Sequence, residues 1–232
     1  MTKDLGSQRI AGHRDRYPTH SPALRKDAER NRQRLLTAAR TLFAERGFGV
    51  TLNDIAHQAG VGIGTAYRRF ANKSEVIEAL FESQVQEIIT IADNALADPD
   101  PWNGLTTYLE RCMDLQARDR GIVHILNGRW ITAEQHDRLH ARLANKVDAI
   151  TDRAKSVGAL RADVHGTDLV FMQLAVNTVL DRTRSVRPDL YRRYLHLFLE
   201  GIRDRPNSLS PLPVEALSSD DTHAVMAPDA DA

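Results

Sequence analysis

Arg68 and Arg69 stand side by side in a short segment that also holds Thr65 and Tyr67. An Arg guanidinium donates two parallel hydrogen bonds to the edge of a guanine or pairs with a phosphate, and hydroxyl groups donate to phosphate oxygens. Ile63, at the start of the segment, can contact the methyl group of a thymine. Residues of these types at this spacing predict a surface that binds nucleic acid.

Three helices are predicted to hold this segment in place. Between residues 35 and 43, apolar side chains recur every three or four positions, which indicates one face of a first helix. Thr51 and Asp54 match a capping box that starts a second helix, and Gly60 supplies the positive φ of the turn that ends it. A third helix begins near Ile63, so the last two helices form a helix-turn-helix, whose second member enters the major groove of DNA.

The neighbouring residues fit the same arrangement. Val61, Tyr67 and Phe70 are predicted to pack the helix-turn-helix against the first helix. Asn72 is predicted to cap a long fourth helix, with Glu75 completing a second capping box. Lys73, in the first turn of that helix, is then a natural clamp for a phosphate.

The distribution of charge is compatible with this interpretation. The 31 Lys and Arg balance the 31 Asp and Glu, but residues 1–73 hold 14 basic and 6 acidic side chains, a net charge of +8. Residues 74–232 hold 17 basic and 25 acidic side chains, a net charge of −8. A basic N-terminal part fits a polyanionic partner, although chance clustering of solvated charges explains the split equally well.

Short motifs follow one another through residues 31–80: Ala38-Ala39-Arg40, Leu42-Phe43, Gly47-Phe48, Thr51, Ile55-Ala56, Ala59-Gly60-Val61, Gly64-Thr65, Tyr67, Phe70 and Lys73. In these motifs the chain strongly resembles the DNA-binding domain of TetR-family transcriptional regulators. The resemblance implies a homodimer that binds a palindromic operator in double-stranded DNA, most often as a repressor. It also implies release of the DNA when a small-molecule effector binds the C-terminal domain, with no cofactor.

Carried over by position, the resemblance assigns a DNA contact to eight residues. Phosphate contacts fall on Thr51, Thr65, Tyr67 and Lys73, and base contacts fall around Ile63, Arg68 and Arg69. Gly64 is the eighth DNA-binding position. The chain departs from the family where Gly62-Ile63 replaces a frequent Ser-Lys pair. The third helix is therefore expected to lack a side-chain cap, which costs it little stability. Ile63 in place of Lys removes a phosphate or base contact, which alters the expected operator sequence but not DNA binding.

The chain is predicted to be all-α, because no stretch alternates with period two for long enough to form a strand. Further helices are expected near residues 102–117, 120–126, 132–156, 167–185 and 188–203. The predicted organisation is a flexible basic arm (1–27), a helix-turn-helix domain (28–74), a helical ligand-binding and dimerisation domain (75–205) and a disordered acidic tail (206–232).

The last two long helices are predicted to form a homodimer. One of them is apolar nearly all round, so it needs cover on more than one side. A two-fold four-helix interface supplies that cover, and the alternative is a monomer that buries both helices in its own core. The expected interface residues are Phe171, Met172, Ala175, Val179, Tyr191, Tyr194, Leu195, Phe198, Leu199 and Ile202.

A cavity for the effector is expected among the C-terminal helices. Gln173 and Asn177 are amides four residues apart on an otherwise apolar helix, and buried amides need partners. For each candidate taken alone, packing in the core is the simpler interpretation. The candidate lining residues are Trp102, Tyr108, Cys112, Met113, His124, Trp130, Phe171, Gln173 and Asn177.

Other classes of function have little support in the sequence. No metal site is predicted, since His136 and His140 lie four residues apart without a third ligand. No nucleophile and base share a motif, so the chain is not expected to be an enzyme. Neither a membrane span nor a secretion signal is seen, and a cytoplasmic protein is expected. A helical enzyme with an incidental helix-turn-helix and a DNA-binding protein without a ligand remain as alternatives.

Overall fold

A computed structural model describes residues 22–118, 133–205 and 210–226 of the chain. All nine long elements in these ranges are α-helices, as predicted, and a short 3-10 turn at Gly47–Gly49 follows the first of them. The helices are α1 (Pro22–Arg46), α2 (Leu52–Ala59), α3 (Ile63–Arg69), α4 (Lys73–Ala97), α5 (Pro101–Arg118), α6 (Ala133–Ser156), α7 (Gly166–Thr183), α8 (Tyr191–Ile202) and α9 (Ser219–Met226).

The helix α4 joins two separate hydrophobic cores. Its N-terminal half, from Val76 to Val85, packs with α1, α2 and α3 around buried side chains such as Leu42 and Ile55. Its C-terminal half begins with Ile88 and packs into a second core with α5 to α8. A rigid helix that is buried at both ends fixes the orientation of one core relative to the other.

The first helix begins earlier than predicted. α1 starts at Pro22, so residues 22–27 are helical and do not belong to a flexible arm. Proline suits the first turn of a helix, because its missing N–H would have no partner there and its φ is already helical. The rest of the predicted arm, residues 1–21, and the helix expected near 120–126 lie outside the described residues.

The predicted disordered tail is wrong for residues 219–226, which form α9. Asp220 and Asp221 occupy its first turn, where carboxylates favour the positive end of the helix dipole. The Ser218 hydroxyl accepts a hydrogen bond of 3.0 Å from the backbone N–H of Asp221. Thr222 is only 6% exposed, because α9 packs against α6. The acidic residues that suggested a solvated tail therefore start a helix.

Candidate nucleic-acid interface and effector cavity

The turn between α2 and α3 is built by local interactions that the sequence predicts. The capping box is present: the backbone N–H of Asp54 donates to Thr51 Oγ1 over 3.2 Å, and the N–H of Thr51 donates to Asp54 Oδ2 over 2.7 Å. Gly60 ends α2 with a φ of 59°. A Cβ at Gly60 would lie 2.9 Å from Nη2 of Arg34, the end of a flexible side chain, so the turn requires glycine for its backbone conformation.

The side of α3 that faces away from the core forms a polar surface, which we call the reading face. Ala66 is fully buried beneath it, whereas Ile63 and Tyr67 are 53% and 49% exposed. Arg68 and Arg69 are both exposed, and Nη2 of Arg68 donates to Thr65 Oγ1 over 2.7 Å. As expected, Gly62 at the start of α3 provides no side-chain cap. The reading face thus offers guanidinium, hydroxyl and apolar groups to one partner.

The structure corrects one part of the packing prediction. Val61 and Phe70 are buried against α1, as predicted, at 8% and 4% exposure. Tyr67 was expected to pack with them, but it points outward, because Ala66 is the α3 residue that turns into the core. Its phenol therefore belongs to the reading face alone.

Two predicted phosphate contacts already have partners within the protein. Nζ of Lys73 donates to the backbone carbonyl of Phe48 over 2.6 Å and is part-buried. The hydroxyl of Thr51 donates to Asp54 Oδ2 over 2.6 Å, and that carboxylate also accepts the Thr51 N–H. Lys73 keeps further donors, since an ammonium carries three, whereas both donors of Thr51 are used. The phosphate contact of Thr51 stays a prediction.

The pKa of the Asp54 carboxyl group reflects the hydrogen bonds of this cap. Its pKa is lowered, first by the hydrogen bond from the Thr51 side chain and then by that from the Thr51 backbone. Both bonds favour the ionised form of the carboxyl group. The start of α2 is therefore held by a carboxylate that stays ionised at neutral pH.

The C-terminal helices line a cavity of about 210 Å³ that is partly open to solvent. Its wall combines apolar side chains with amides and hydroxyls, and α9 contributes to it. The lining residues are Ile88, Tyr108, Cys112, Gln116, Leu143, Ala144, Val147, Asp148, Gly166, Thr167, Val170, Gln173, Leu174, Asn177, Ser219, Thr222, His223 and Met226.

Four of the nine predicted lining residues reach this cavity: Tyr108, Cys112, Gln173 and Asn177. Met113 is fully buried in the core instead. Phe171 is half-buried outside the lining, and the ring of Trp102 lies under the Arg203 guanidinium at 5.2 Å. His124 and Trp130 lie outside the described residues.

The lining residues that sequence reasoning missed include Gln116 and those of α9. Gln116 follows Cys112 by four positions, so it shares a helix face with two predicted lining residues. That spacing could have identified Gln116 as a lining residue. Thr222, His223 and Met226 carry no comparable signal, because the acidic composition of the segment obscures its helical character.

Polar side chains cross the cavity wall in one hydrogen-bonded chain. Tyr108 lies at one end, near enough to Cys112 and Gln173 for both to influence the pKa of its phenol. Nε2 of Gln116 donates to Gln173 Oε1 over 3.4 Å, and Nδ2 of Asn177 donates to Gln116 Oε1. Oδ1 of Asn177 ends the chain without a partner among the described residues.

Burial keeps the side chains of Cys112 and Tyr108 neutral. It raises the pKa of Cys112 to about 12 and the pKa of Tyr108 well above its ordinary value. A thiol with such a pKa is not a nucleophile at neutral pH, since the thiolate is the reactive form. The cavity is therefore suited to binding and not to covalent catalysis through Cys112.

Ion pairs attach the cavity helix α6 to α4. Arg138 pairs with Glu78 at 3.3 Å, Arg142 pairs with Glu82 at 2.9 Å, and Lys146 pairs with Asp93. Arg153 donates to the carbonyls of Leu96 and Asp98 at the end of α4, over 2.6 and 2.8 Å. α6 thus follows α4 along most of its length.

The predicted interface residues divide into two groups. Met172, Tyr191, Leu195 and Leu199 are buried in the core of the single chain, because α7 and α8 pack against each other. The remaining six are half-buried or exposed: Phe171, Val179 and Ile202 are half-buried, and Ala175, Tyr194 and Phe198 are exposed. Leu197, which was not predicted, is 54% exposed beside them.

Metal and membrane sites can be judged only within the described part of the chain. No three His, Cys, Asp or Glu side chains come together there to hold a metal ion. The side chains of His136 and His140 lie outside that part. None of the described helices is both long enough and apolar enough to cross a bilayer.

Models of two protein families match the chain. Residues 35–80 match the model described as bacterial regulatory proteins, tetR family. Residues 100–204 match the model described as transcriptional regulator SbtR-like, C-terminal domain. The first match covers the helix-turn-helix, and the second covers most of the helices around the cavity.

Individual proteins agree with these matches. An HTH-type transcriptional regulator of Staphylococcus aureus strain USA300 is 40% identical over 68 residues, or 29% of this chain and 37% of that relative. The TetR transcription regulatory protein of Mycobacterium vanbaalenii is 29% identical, with a TM-score of 0.58 over 78% of this chain and 99% of that one. SmeT in complex with triclosan is 22% identical, with a TM-score of 0.58 over 82% and 99% of the two chains.

The match to the S. aureus relative spans little more than a third of that protein's length. A helix-turn-helix with an exposed basic helix, followed by an α-helical domain, defines a transcription regulator that binds DNA. The chain belongs to the TetR family of these regulators.

Proposed function

We propose that this protein is a ligand-responsive repressor that binds a palindromic operator as a homodimer. A small-molecule effector in the cavity then releases the DNA. The observation that supports this proposal best is the reading face, where Arg68 and Arg69 stand exposed on a helix that the core holds from beneath. As a protein that acts on DNA, it is expected to work in the cytoplasm.

Exposed apolar residues on α7 and α8 support the homodimer. Ala175, Tyr194, Leu197 and Phe198 form what we call the outer apolar face, with the two aromatic side chains each 40% exposed. A Cβ at the exposed Gly201 would meet nothing within 4 Å, so a partner helix can approach closely there. Two reading faces related by a two-fold axis match half-sites about 34–36 Å apart.

The route from cavity to DNA follows α6 and α4. Leu143 and Val147 of α6 line the cavity together with Ile88 of α4. A ligand that moves α6 also moves α4, because Arg138 and Arg142 bind Glu78 and Glu82 in the half of α4 that belongs to the first core. The effector would thus favour a conformer in which the two reading faces no longer fit consecutive major grooves.

Selection of bound fragments from genomic DNA tests the DNA-binding part of the proposal. The recovered fragments should share a palindrome, and its position relative to promoters would indicate repression. Binding of that palindrome is then measured for Arg68→Ala and Arg69→Ala. Loss of one base contact should weaken binding by about 1–3 kcal/mol. Arg111→Ala, an exposed Arg on α5, is the matched control and should bind like the wild type.

The same measurements can contradict the proposal. Unchanged affinity and unchanged salt dependence in both α3 variants would exclude the reading face. A recovered site without two-fold symmetry would instead exclude the homodimeric mode of binding and leave the role of α3 intact.

A further inference from the structure

Within the proposed function, on which this inference rests, we infer the chemical class of the effector. It is a mostly apolar molecule of one or two rings that is not an anion and carries a hydrogen-bond donor, and this donor pairs with Oδ1 of Asn177. The size of the cavity, the charge of its lining and the direction of its hydrogen bonds each restrict the ligand independently.

The volume of the cavity indicates how much of a ligand it can bury. An apolar cavity of about 150 Å³ is sufficient to bind benzene. The 210 Å³ found here therefore accommodates one ring with substituents, or two small fused rings. Much of the wall is apolar, with Ile88, Leu143, Val147, Val170 and Met226 among its residues. A ligand that fills this space must bury mostly carbon.

The charges of the lining disfavour an anion. The described lining residues include no Lys and no Arg, while Asp148 adds a negative charge at an exposed position. His223 is a basic group of the wall, and its Nε2 lies 2.8 Å from Oδ1 of Asp137. Burial of a carboxylate or phosphate without a cationic partner costs much free energy, so the ligand is not an anion.

The hydrogen-bonded chain in the wall has a direction. Oε1 of Gln173 accepts from Nε2 of Gln116. Oε1 of Gln116 in turn accepts from Nδ2 of Asn177.

This direction leaves an acceptor at the end of the chain. Asn177 is 5% exposed, and its Oδ1 has no hydrogen-bond partner among the described residues. A second polar atom in the wall, Oγ1 of Thr222, is also buried and without a partner in that part of the chain. A buried acceptor without a donor is unfavourable, so the group that completes the site is a hydroxyl or N–H of the ligand, which the Asn177 side chain turns to meet.

Matched probes test this inference by calorimetry on the full chain without DNA. Phenol is compared with anisole and 2-naphthol with 2-methoxynaphthalene, so that each pair differs in the donor. Each hydroxyl compound should bind about fivefold or more tightly than its ether, although the ether is the more apolar molecule. 2-Naphthoate, an anion of similar size, should not bind measurably.

The variant Asn177→Leu should remove the preference for the donor and still bind the ethers. Its fold is checked by circular dichroism, and the wild-type comparison stands even if this variant does not fold. Equal affinity within both pairs, tighter binding of 2-naphthoate, or no binding of any probe would each overturn the inference. The calorimetry contains no DNA, so release of the operator is measured separately. A probe that binds as expected but does not release the operator would contradict the proposed function and leave the ligand class intact.

Discussion

The carboxylate of Asp163 accepts a hydrogen bond of 2.9 Å from the backbone N–H of Leu212. Arg161 pairs with the same carboxylate at 2.7 Å and donates to the carbonyl of Ser210 over 2.9 Å. Further along, the hydroxyl of Thr167 donates to the carbonyl of Leu217 over 3.0 Å. These bonds attach the segment before α9 to the start of α7, which allows α9 to reach the cavity.

Asp163→Asn should loosen this attachment. The substitution removes the ion pair with Arg161, so amide hydrogens of residues 210–226 should exchange faster while those of α5 keep their protection. Hydrogen exchange followed by mass spectrometry measures the difference. Asp189→Asn, at an exposed position between α7 and α8, is the control and should leave exchange unchanged. Unaltered exchange in Asp163→Asn would show that other contacts hold α9.

The attachment should also depend on pH in a defined direction. Hydrogen bonds from Arg161 and then from Leu212 hold the pKa of Asp163 well below its usual range. The carboxylate therefore contributes stability that is fully present above its unfolded pKa of about 4 and is lost as the pH falls through the lower folded pKa. Below pH 4 the free energy of unfolding of the wild type should therefore fall more steeply with decreasing pH than that of the Asp163→Asn variant, which has no carboxylate at this position.

Lys73→Met separates two roles of one side chain. The ammonium bonds to the Phe48 carbonyl, so its loss should lower the free energy of unfolding by about 1 kcal/mol. If Lys73 also contacts a phosphate, the slope of log K against log salt should become smaller by about 1. Denaturant titration and binding at several salt concentrations measure the two effects, with Lys155→Met as control. Reduced stability with an unchanged slope would leave Lys73 a purely structural role.

Gln84→Leu should stabilise the protein. Gln84 lies fully buried in α4, and neither polar atom of its amide has a partner within the described residues. Replacing an unpaired buried amide by an apolar side chain of similar size should raise the free energy of unfolding by about 1–2 kcal/mol. Thermal and denaturant unfolding measure this, and Asn94→Leu, exposed on the same helix, should change little. A destabilised Gln84→Leu variant would mean that the amide is hydrogen-bonded after all.

Phe198→Glu should prevent dimerisation. Phe198 is 40% exposed on the outer apolar face, and a carboxylate there would have to lose its water in a dimer. Sedimentation should show a mass near twice 26.0 kDa for the wild type and near 26.0 kDa for the variant, with weaker binding to the palindrome. Val186→Glu, at a position that is 85% exposed outside this face, should remain dimeric. A wild type that sediments as a monomer would contradict the proposed assembly.

The predictions that succeeded depend on interactions between residues close in sequence. Thr51 and Asp54 form the predicted capping box three positions apart, and Gly60 has the predicted positive φ. The periodic apolar residues of α1 face the core for the same reason, since a regular helix converts spacing into direction. Tyr67 was predicted both to contact DNA and to pack against the first helix, and spacing could not decide whether Tyr67 or Ala66 fits beneath α3.

The amino-acid sequence by itself determined the all-α class, the helix-turn-helix and the family, because caps, turns and short motifs act within a few residues. Only the tertiary structure decided that Tyr191 and Leu195 belong to the core while Tyr194 and Phe198 face outward. It also decided that Thr222 meets the cavity of Asn177. When a helix is apolar nearly all round, its sequence does not show which face is buried. The position of α9 depends on contacts with parts of the chain that are distant in sequence. Such choices depend on the packing of the whole domain.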